Sequence, residues 1–230
     1  MEPKSQNTKH VPRYHGNLRS HMIEIPVCIS KASGIRVFGR RIKSLAFTTD
    51  VSIIRNINTD AIIAVYPFTP QPAIMRAVML AADMPVFAGV GGGMTRGDRV
   101  VRLAADAESE GAFGVVVNSP TENATISRLK QELDIPVVVT VVSEVEDIRG
   151  RLQAGADILN VSGAAKTARI VRAIRADFPE VPIIATGGPT EESIMETIEA
   201  GANAITYTPP SNGELFALSM DQYRKMIEKK

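Results

Sequence analysis

The sequence predicts an α/β fold, a single (β/α)8 TIM barrel with an N-terminal extension. Three observations carry this expectation. From residue 42 onward, short apolar runs alternate with helix-like segments. The runs, among them "PVVVTVV" and "VPIIA", are continuously apolar, the pattern of parallel strands buried on both faces. A weak repeat, "SEGAFGVVVNS", "LQAGADILNVS" and "IEAGANAITYT", closes a helix on glycine and enters a strand each time. Other junctions use proline instead, as in "ADMPVFAG", "LDIPVVVT" and "PEVPIIAT".

Residues 1–21 read as a flexible basic arm, with Lys4, Lys9, Arg13 and Arg19 set against Glu2, and residues 22–230 as the barrel domain. Within the latter, residues 22–41 are a lead-in expected to cover the barrel's bottom. Strand one is Ile42–Phe47; in the "TTDV" that follows, Asp50 stands where a helix N-cap would. Strand two, Ala61–Tyr66, leads to the helix-like "QPAIMRAVMLAAD". Strand three, Pro85–Val90, runs through "VGGGMTRG" into the helical "GDRVVRLAADAESEG". The remaining strands are Gly114–Val117, Pro136–Val141, Asp157–Val161, Pro182–Thr186 and Ala204–Tyr207. The final segment, "FALSMDQYRKMIEKK", reads as an amphipathic helix. Phe216, Leu218, Met220, Tyr223, Met226 and Ile227 are expected to form its core face. Even spacing of the units favours closure over an open doubly wound sheet.

Composition narrows the function. The chain is 44% hydrophobic with a net charge of +1, so nothing in it favours nucleic acid or a membrane surface. No apolar run reaches the roughly 18 residues of a membrane span, and the N-terminus lacks an apolar signal core. With Cys28 as the single cysteine, an internal disulfide is excluded and a cytoplasmic location is expected. His10, His15 and His21 all precede residue 22. A Ser-His-Asp triad, a Cys-His pair or a His-rich metal site would therefore need the arm to fold over the barrel.

Barrel chemistry sits at the C-terminal ends of the strands. The residues placed there are rich in hydroxyls and amides and poor in charge. Asp50 is the best-placed general base, with helix capping as its competing role. Glu144, Lys166, Tyr66 and Tyr207 are the other acid–base candidates, although a carboxylate in a first helical turn, such as Glu144, is favoured by the dipole alone. Asn118, Asn160 and Ser162 are neutral groups able to orient a carbonyl or hydroxyl. Gly91, Gly92 and Gly93 lack Cβ atoms and would let backbone amides approach a ligand. Gly187 and Gly188 follow strand seven, where many barrels build half of a phosphate cup. The other half is abnormal: "ITYTPPSNGEL" contributes two prolines, leaving Ser211 and its neighbours to supply amides. Lys166 could reach a phosphate or simply be solvated, and Glu191, Glu192 and Glu214 would oppose one.

Residues 111–188 resemble the keto-deoxy-phosphogluconate aldolases, small class I aldolases of this fold. "GAFGVVVNSP" is similar to their fourth strand and its exit. "LDIPVVVTVVSEVEDIRGRLQAGADILNVSG" resembles their run from strand five through six, and "FPEVPIIATGGPT" their strand seven and phosphate loop. "IIAVYPFTPQPAIMRAV" is a fainter match at strand two. In this register the family's Schiff-base lysine falls on Asn160, its strand-two glutamate on Ala64 and the nearby arginine on Phe68. An amide forms no imine and alanine shuttles no proton. The resemblance thus implies the scaffold and the glycine-rich phosphate loop, without the aldolase chemistry.

The expected function is an enzyme acting on a small, phosphorylated or otherwise anionic metabolite at the barrel's C-terminal face. It would be a hydrolase, lyase or isomerase, with Asp50 as base. The alternative is a non-catalytic ligand-binding or regulatory barrel. No cofactor is firmly required. Mg²⁺ is the candidate, held by Asp50 and Glu144 with substrate phosphates and waters. A homo-oligomer is plausible, without an interface signature.

Overall fold

A computed structural model describes residues 22–228, together with Pro12, Tyr14, Gly16 and Asn17. The rest of the basic arm, including its three histidines, lies outside the described residues. A two-stranded antiparallel hairpin comes first, β1 (Ile35–Val37) and β2 (Arg40–Ile42). Eight parallel strands then follow: β3 (Ser44–Phe47), β4 (Ala61–Ala64), β5 (Val86–Gly91), β6 (Gly114–Val117), β7 (Val137–Val141), β8 (Ile158–Val161), β9 (Ile183–Thr186) and β10 (Ala204–Tyr207). They close in sequential order, with β10 paired to β3. The helices are α1 (Val51–Ile54), α2 (Pro72–Ala81), α3 (Asp98–Ser109), α4 (Asn123–Glu132), α5 (Ile148–Gln153), α6 (Thr167–Asp177), α7 (Glu191–Glu199) and α8 (Asn212–Glu228).

The expected TIM barrel is therefore the fold, and its strands fall at the apolar runs, except that Ile42, expected to open strand one, pairs with Ile35 in the hairpin and the barrel strand starts at Ser44. Pro85, Pro136 and Pro182 stand just outside the strands they introduce. Proline cannot donate to the ladder, but its carbonyl can accept. Each carbonyl takes an amide from a neighbouring strand's residue: Ile62 to Pro85 (2.8 Å), Val115 to Pro136 (3.0 Å) and Leu159 to Pro182 (3.0 Å).

The hairpin plugs the bottom. Ile35, Val37 and Ile42 are buried with the inward-facing Leu45, Ile63, Phe87, Val116, Val138, Ile158 and Ile184. At its tip Phe38 meets Phe113 edge-on, ring centroids 5.5 Å apart. The first part of the lead-in does something else. Ile23 bridges to Ile57 beyond α1, Ile25 packs into both outer core clusters, and the 3-10 turn Val27–Lys31 buries Cys28 and Ile29. That turn packs against α7, while the outward Ile205 of β10 and Ala46 of β3 are fully covered. Residues 22–31 thus cross the outside of β10 and β3, where the eighth helix of a barrel normally lies.

α8 is displaced as a result. None of its residues is buried, and Phe216, Leu218, Met220, Tyr223, Met226 and Ile227 are all exposed. This corrects the core face expected for them: the pattern is amphipathic, but the slot on the barrel is already filled. No helix among the described residues is long and apolar enough to cross a membrane.

Candidate active site

Inward positions follow from strand alternation. Two residues beyond the inward Val138, Ile158, Ile184 and Ala204 come Thr140, Asn160, Thr186 and Thr206, which line the upper lumen on β7–β10. On β3–β5 the same level is held by Phe47, Val65 and Gly89. The mouth is therefore polar on one side and apolar on the other. Asn160 is only 9% exposed and Thr206 only 6%. The amide Nδ2 of Asn160 donates to Thr140 Oγ1 at 3.3 Å. Asn160 Oδ1 and Thr206 Oγ1 are buried without any partner among the described residues. Ser162 follows at the lip, its hydroxyl accepting from Thr186 Oγ1 at 3.4 Å.

Beyond Ser162 the chain turns sharply. Ala164 adopts φ of 51°, a left-handed conformation uncommon for a residue with a Cβ. Thr167 holds the turn, its hydroxyl accepting from Gly163 N (3.0 Å) and donating to Ala164 O (2.9 Å). Lys166 ends this turn, exposed and with no ion-pair partner among the described residues.

A cavity of about 100 Å³ opens between the exits of β4, β5 and β6. It reaches the lumen at Val65, Gly89 and Val116, and its rim carries Tyr66, Phe68, Gly91, Gly93, Thr95 and Asn118. Tyr66 is fixed there because its hydroxyl accepts from Gln71 N at 2.9 Å. The glycine loop is welded to the β6 exit. Gly92 N donates to Thr95 O (2.9 Å) and Asn118 N to Gly91 O (2.9 Å). A Cβ on Gly92 would stand 2.0 Å from Thr121 Oγ1. Gly91 and Gly92 thus serve close backbone approach between loops, while Gly93 keeps an amide with no partner among the described residues.

The phosphate cup is already furnished by the chain itself. Gly187 N donates to Thr206 O (3.3 Å), and a Cβ there would strike Ile194 and Ile205. Gly188, at φ of 80°, retains an amide with no partner among the described residues. The start of α7 carries a capping box, Thr190 with Ser193, and Glu191 and Glu192 in its first turn. Hydrogen bonds from its own backbone amide and from Thr190 hold Glu192 below the usual carboxylate range. At α8, Ser211 N and Oγ both donate to Glu214 Oε2 at 2.7 Å, and Glu214 N donates back to Ser211 Oγ at 3.2 Å.

The acid–base candidates are dispersed. Asp50 caps α1: its Oδ1 accepts from Ser52 Oγ (2.6 Å), Ser52 N (2.8 Å) and Ile53 N (3.3 Å). These bonds, the Ser52 hydroxyl first, hold its carboxyl below the ordinary value of 3.8. Glu144 pairs with Arg169. Tyr207 faces outward into the core packing, away from the mouth. Ala64 also faces outward, so the glutamate position implied by the aldolase resemblance is not a lumen position; Val65 is. Asn160, by contrast, does occupy the lumen.

Several features escaped sequence reasoning. Thr140 and Thr206 sit inside apolar runs, and a hydroxyl in phase with inward residues was their only signal. Glu146 carries no local sequence signal of its role. Its Oε1 accepts from Val142 N (2.7 Å) and Ser143 N (3.3 Å), and Oε2 lies 3.9 Å from Arg151. Arg151 in turn donates to Ser119 O (2.5 Å), Thr121 O and Asn123 Oδ1 (2.9 Å). This largely buried pair ties the β6 exit, and with it Asn118, to the β7 exit.

No protein-family model and no curated relative matches the chain. Among solved structures, it is similar to the phosphoenolpyruvate phosphomutase of Streptomyces platensis subsp. rosaceus, at 17% identity and a TM-score of 0.60 over 81% of this chain and 82% of that one. Phosphonopyruvate hydrolase, solved with oxalate and Mg²⁺, matches at 15% identity and a TM-score of 0.56 over 83% and 94%. The 4-hydroxy-tetrahydrodipicolinate synthase of Methylacidiphilum fumariolicum SolV matches at 13% and 0.56 over 72% and 67%. At these identities the likeness establishes the barrel fold, which hosts many chemistries.

Proposed function

We propose that this chain is an enzyme acting on a small, phosphorylated or otherwise anionic metabolite at the barrel mouth, by hydrolysis, elimination or isomerisation. The observation that carries the reading is the pair of buried, unpartnered polar atoms in the upper lumen, Asn160 Oδ1 and Thr206 Oγ1. Buried polar groups are nearly always hydrogen-bonded, and each exception needs a role. A ligand entering past Val65 and Gly89 would donate a hydroxyl proton to Asn160 Oδ1 and accept from Thr206. Asn118 and Ser162 would orient it at the lip, with the amides of Gly93 and Gly188 and the Lys166 ammonium receiving its anionic end. Neutral donors aimed at an oxygen that gains charge are a sufficient catalytic device in a water-poor lumen. Asp50, through Oδ2, is the proposed proton acceptor. The names of the fold's neighbours, a phosphomutase and a phosphonopyruvate hydrolase, are consistent with a substrate of this kind.

A resident Mg²⁺ does not fit this donor set. The lumen offers amides and hydroxyls, Glu144, Glu146 and Glu214 are taken up as caps or ion-pair partners, and Asp50 keeps only Oδ2 free. Among the described residues no three metal-ligating side chains gather. The same commitment of carboxylates favours a second reading, a binding barrel without turnover.

The test is a thermal-shift screen of keto acids, phosphorylated keto acids, sugar phosphates, inorganic phosphate and free sugars. A ligand at 100 times its dissociation constant stabilises by about 2.7 kcal/mol. A compound that stabilises the wild type and loses its effect in Asn160→Leu supports the site. If no compound stabilises the wild type, or Asn160→Leu responds equally, the site is refuted. Turnover of the binding compound, tested afterwards, separates enzyme from binder.

A further inference from the structure

We propose that α8 is the contact surface of a two-fold dimer, its apolar stripe docking on a second copy of this chain. Phe216, Met220, Tyr223 and Ile227 recur at i, i+4, i+7 and i+11 and so lie along one face of the helix, with Met226 beside them. Phe216 is 67% exposed, Tyr223 57% and Ile227 74%. Glu214, Asp221, Arg224, Lys225 and Glu228 occupy the opposite side, where Asp221 meets Lys225 at 2.6 Å. The helix is thus amphipathic apart from Leu218, 64% exposed on the charged side, and within its apolar stripe Met220 is the least exposed at 37%.

The covering cannot come from the usual place. Residues 22–31 already seal β10 and β3, anchored by Ile23 N to Asn56 O (2.7 Å), Asn58 N to Ile23 O (3.2 Å) and Ile25 N to Asn58 Oδ1 (2.8 Å). Pro209 and Pro210 stiffen the link from β10, so α8 leaves the barrel on a short, inflexible tether.

Three considerations select a second copy. The area suffices: five large side chains at about 100 Å² each give ~500 Å² per chain and ~1,000 Å² per pair, the threshold of a specific interface. The charge does not favour a lipid surface, because from Asn212 to Lys230 three acidic residues stand among four basic ones, short of the strongly cationic face such helices carry. A two-fold axis also supplies the complementary stripe automatically, since each copy brings the same patch.

Light scattering coupled to size exclusion, on the full chain over a range of concentrations, tests this. The wild type is expected at twice the 24.8 kDa chain mass, with a melting temperature that rises with concentration. Phe216→Glu/Tyr223→Glu is expected at the single-chain mass with an unchanged circular dichroism spectrum, since neither side chain packs on the barrel. Leu218→Glu, on the far side of the helix, should remain dimeric. A monomeric wild type at the highest soluble concentration overturns the proposal, whether or not it sediments with anionic vesicles. So does a dimer that survives the double substitution, or one that Leu218→Glu disrupts equally.

Discussion

Replacing Thr206 with valine exchanges a hydroxyl for a methyl of nearly the same shape at a position 6% exposed, where Oγ1 has no partner among the described residues. An unsatisfied buried hydroxyl costs about 1–3 kcal/mol, and a buried methyl gains about 0.8 kcal/mol. Thr206→Val should therefore stabilise the ligand-free protein by about 2 kcal/mol, an unusual sign for a core substitution. For a domain of this size that is a rise of about 4–8 °C in melting temperature. Calorimetry and urea denaturation check it, the latter requiring an unchanged slope so that the midpoint reports stability alone. The stabilisation by any compound found to bind should shrink in the same variant. A loss of about 1 kcal/mol or more would refute the reasoning, because it would mean that the hydroxyl is well satisfied in solution and is not held in reserve for a ligand.

Asp50→Asn keeps an oxygen for the Ser52 and Ile53 amides, so it should change stability by only a few tenths of a kcal/mol, whereas Asp50→Ala should cost about 1 kcal/mol. If Asp50 is the base, the same Asp50→Asn should lower turnover about 100-fold or more, measured by kcat. Because the folded carboxyl is held below its ordinary value of 3.8, its stabilisation is present above that value and lost as pH falls through the folded one. Melting curves of wild type and Asp50→Asn should converge with acidification. Arg151→Met leaves Glu146 buried and unpaired and should cost about 3 kcal/mol in urea denaturation, while Arg169→Met, at the far more exposed Glu144 pair, should cost about 0–1 kcal/mol. Gly92→Ala puts a Cβ 2.0 Å from Thr121 Oγ1 at φ of 99° and should cost about 2 kcal/mol or more by the same assay.

The barrel was legible because its strands are buried on both faces, so their apolar runs stand out from the helical segments without any knowledge of neighbours. The lead-in was legible only in part: residues 22–41 were expected at the bottom, but only the hairpin with Ile35, Val37 and Ile42 packs there, while Ile23 and Ile25 go to the outer core. Tertiary competition was not legible. The stripe on α8 reports an apolar face but not its partner, and nothing local in residues 22–31 announces that they occupy the slot first. Glycines misled in the same way. A missing Cβ at Gly92 or Gly187 signals close approach, but what approaches is Thr121 in one case and Ile194 with Ile205 in the other. Asn118, Asn160 and Ser162 stood out in the sequence as amides and hydroxyls at strand exits, and the structure places them at the barrel mouth. Thr140 and Thr206 were hidden inside strands, where threonine is an ordinary β-former.

The chemistry of the lumen has one consequence that reaches across pH. Its upper level consists of Phe47, Val65, Gly89, Asn118, Thr140, Asn160, Thr186 and Thr206, none of which titrates near neutrality. An ionised side chain at this depth would pay a desolvation cost that amides and hydroxyls avoid. The barrel therefore presents the same hydrogen-bonding face at pH 6 as at pH 9, and a ligand's affinity should vary only with the ligand's own ionisation. For a phosphate monoester that means one transition near its second pKa of about 6, and for a free keto acid a flat profile over this range. Isothermal titration of both ligand types against pH makes the comparison. A transition common to both would place a titrating protein group against the ligand, and the neutral-donor account of the mouth would have to give way.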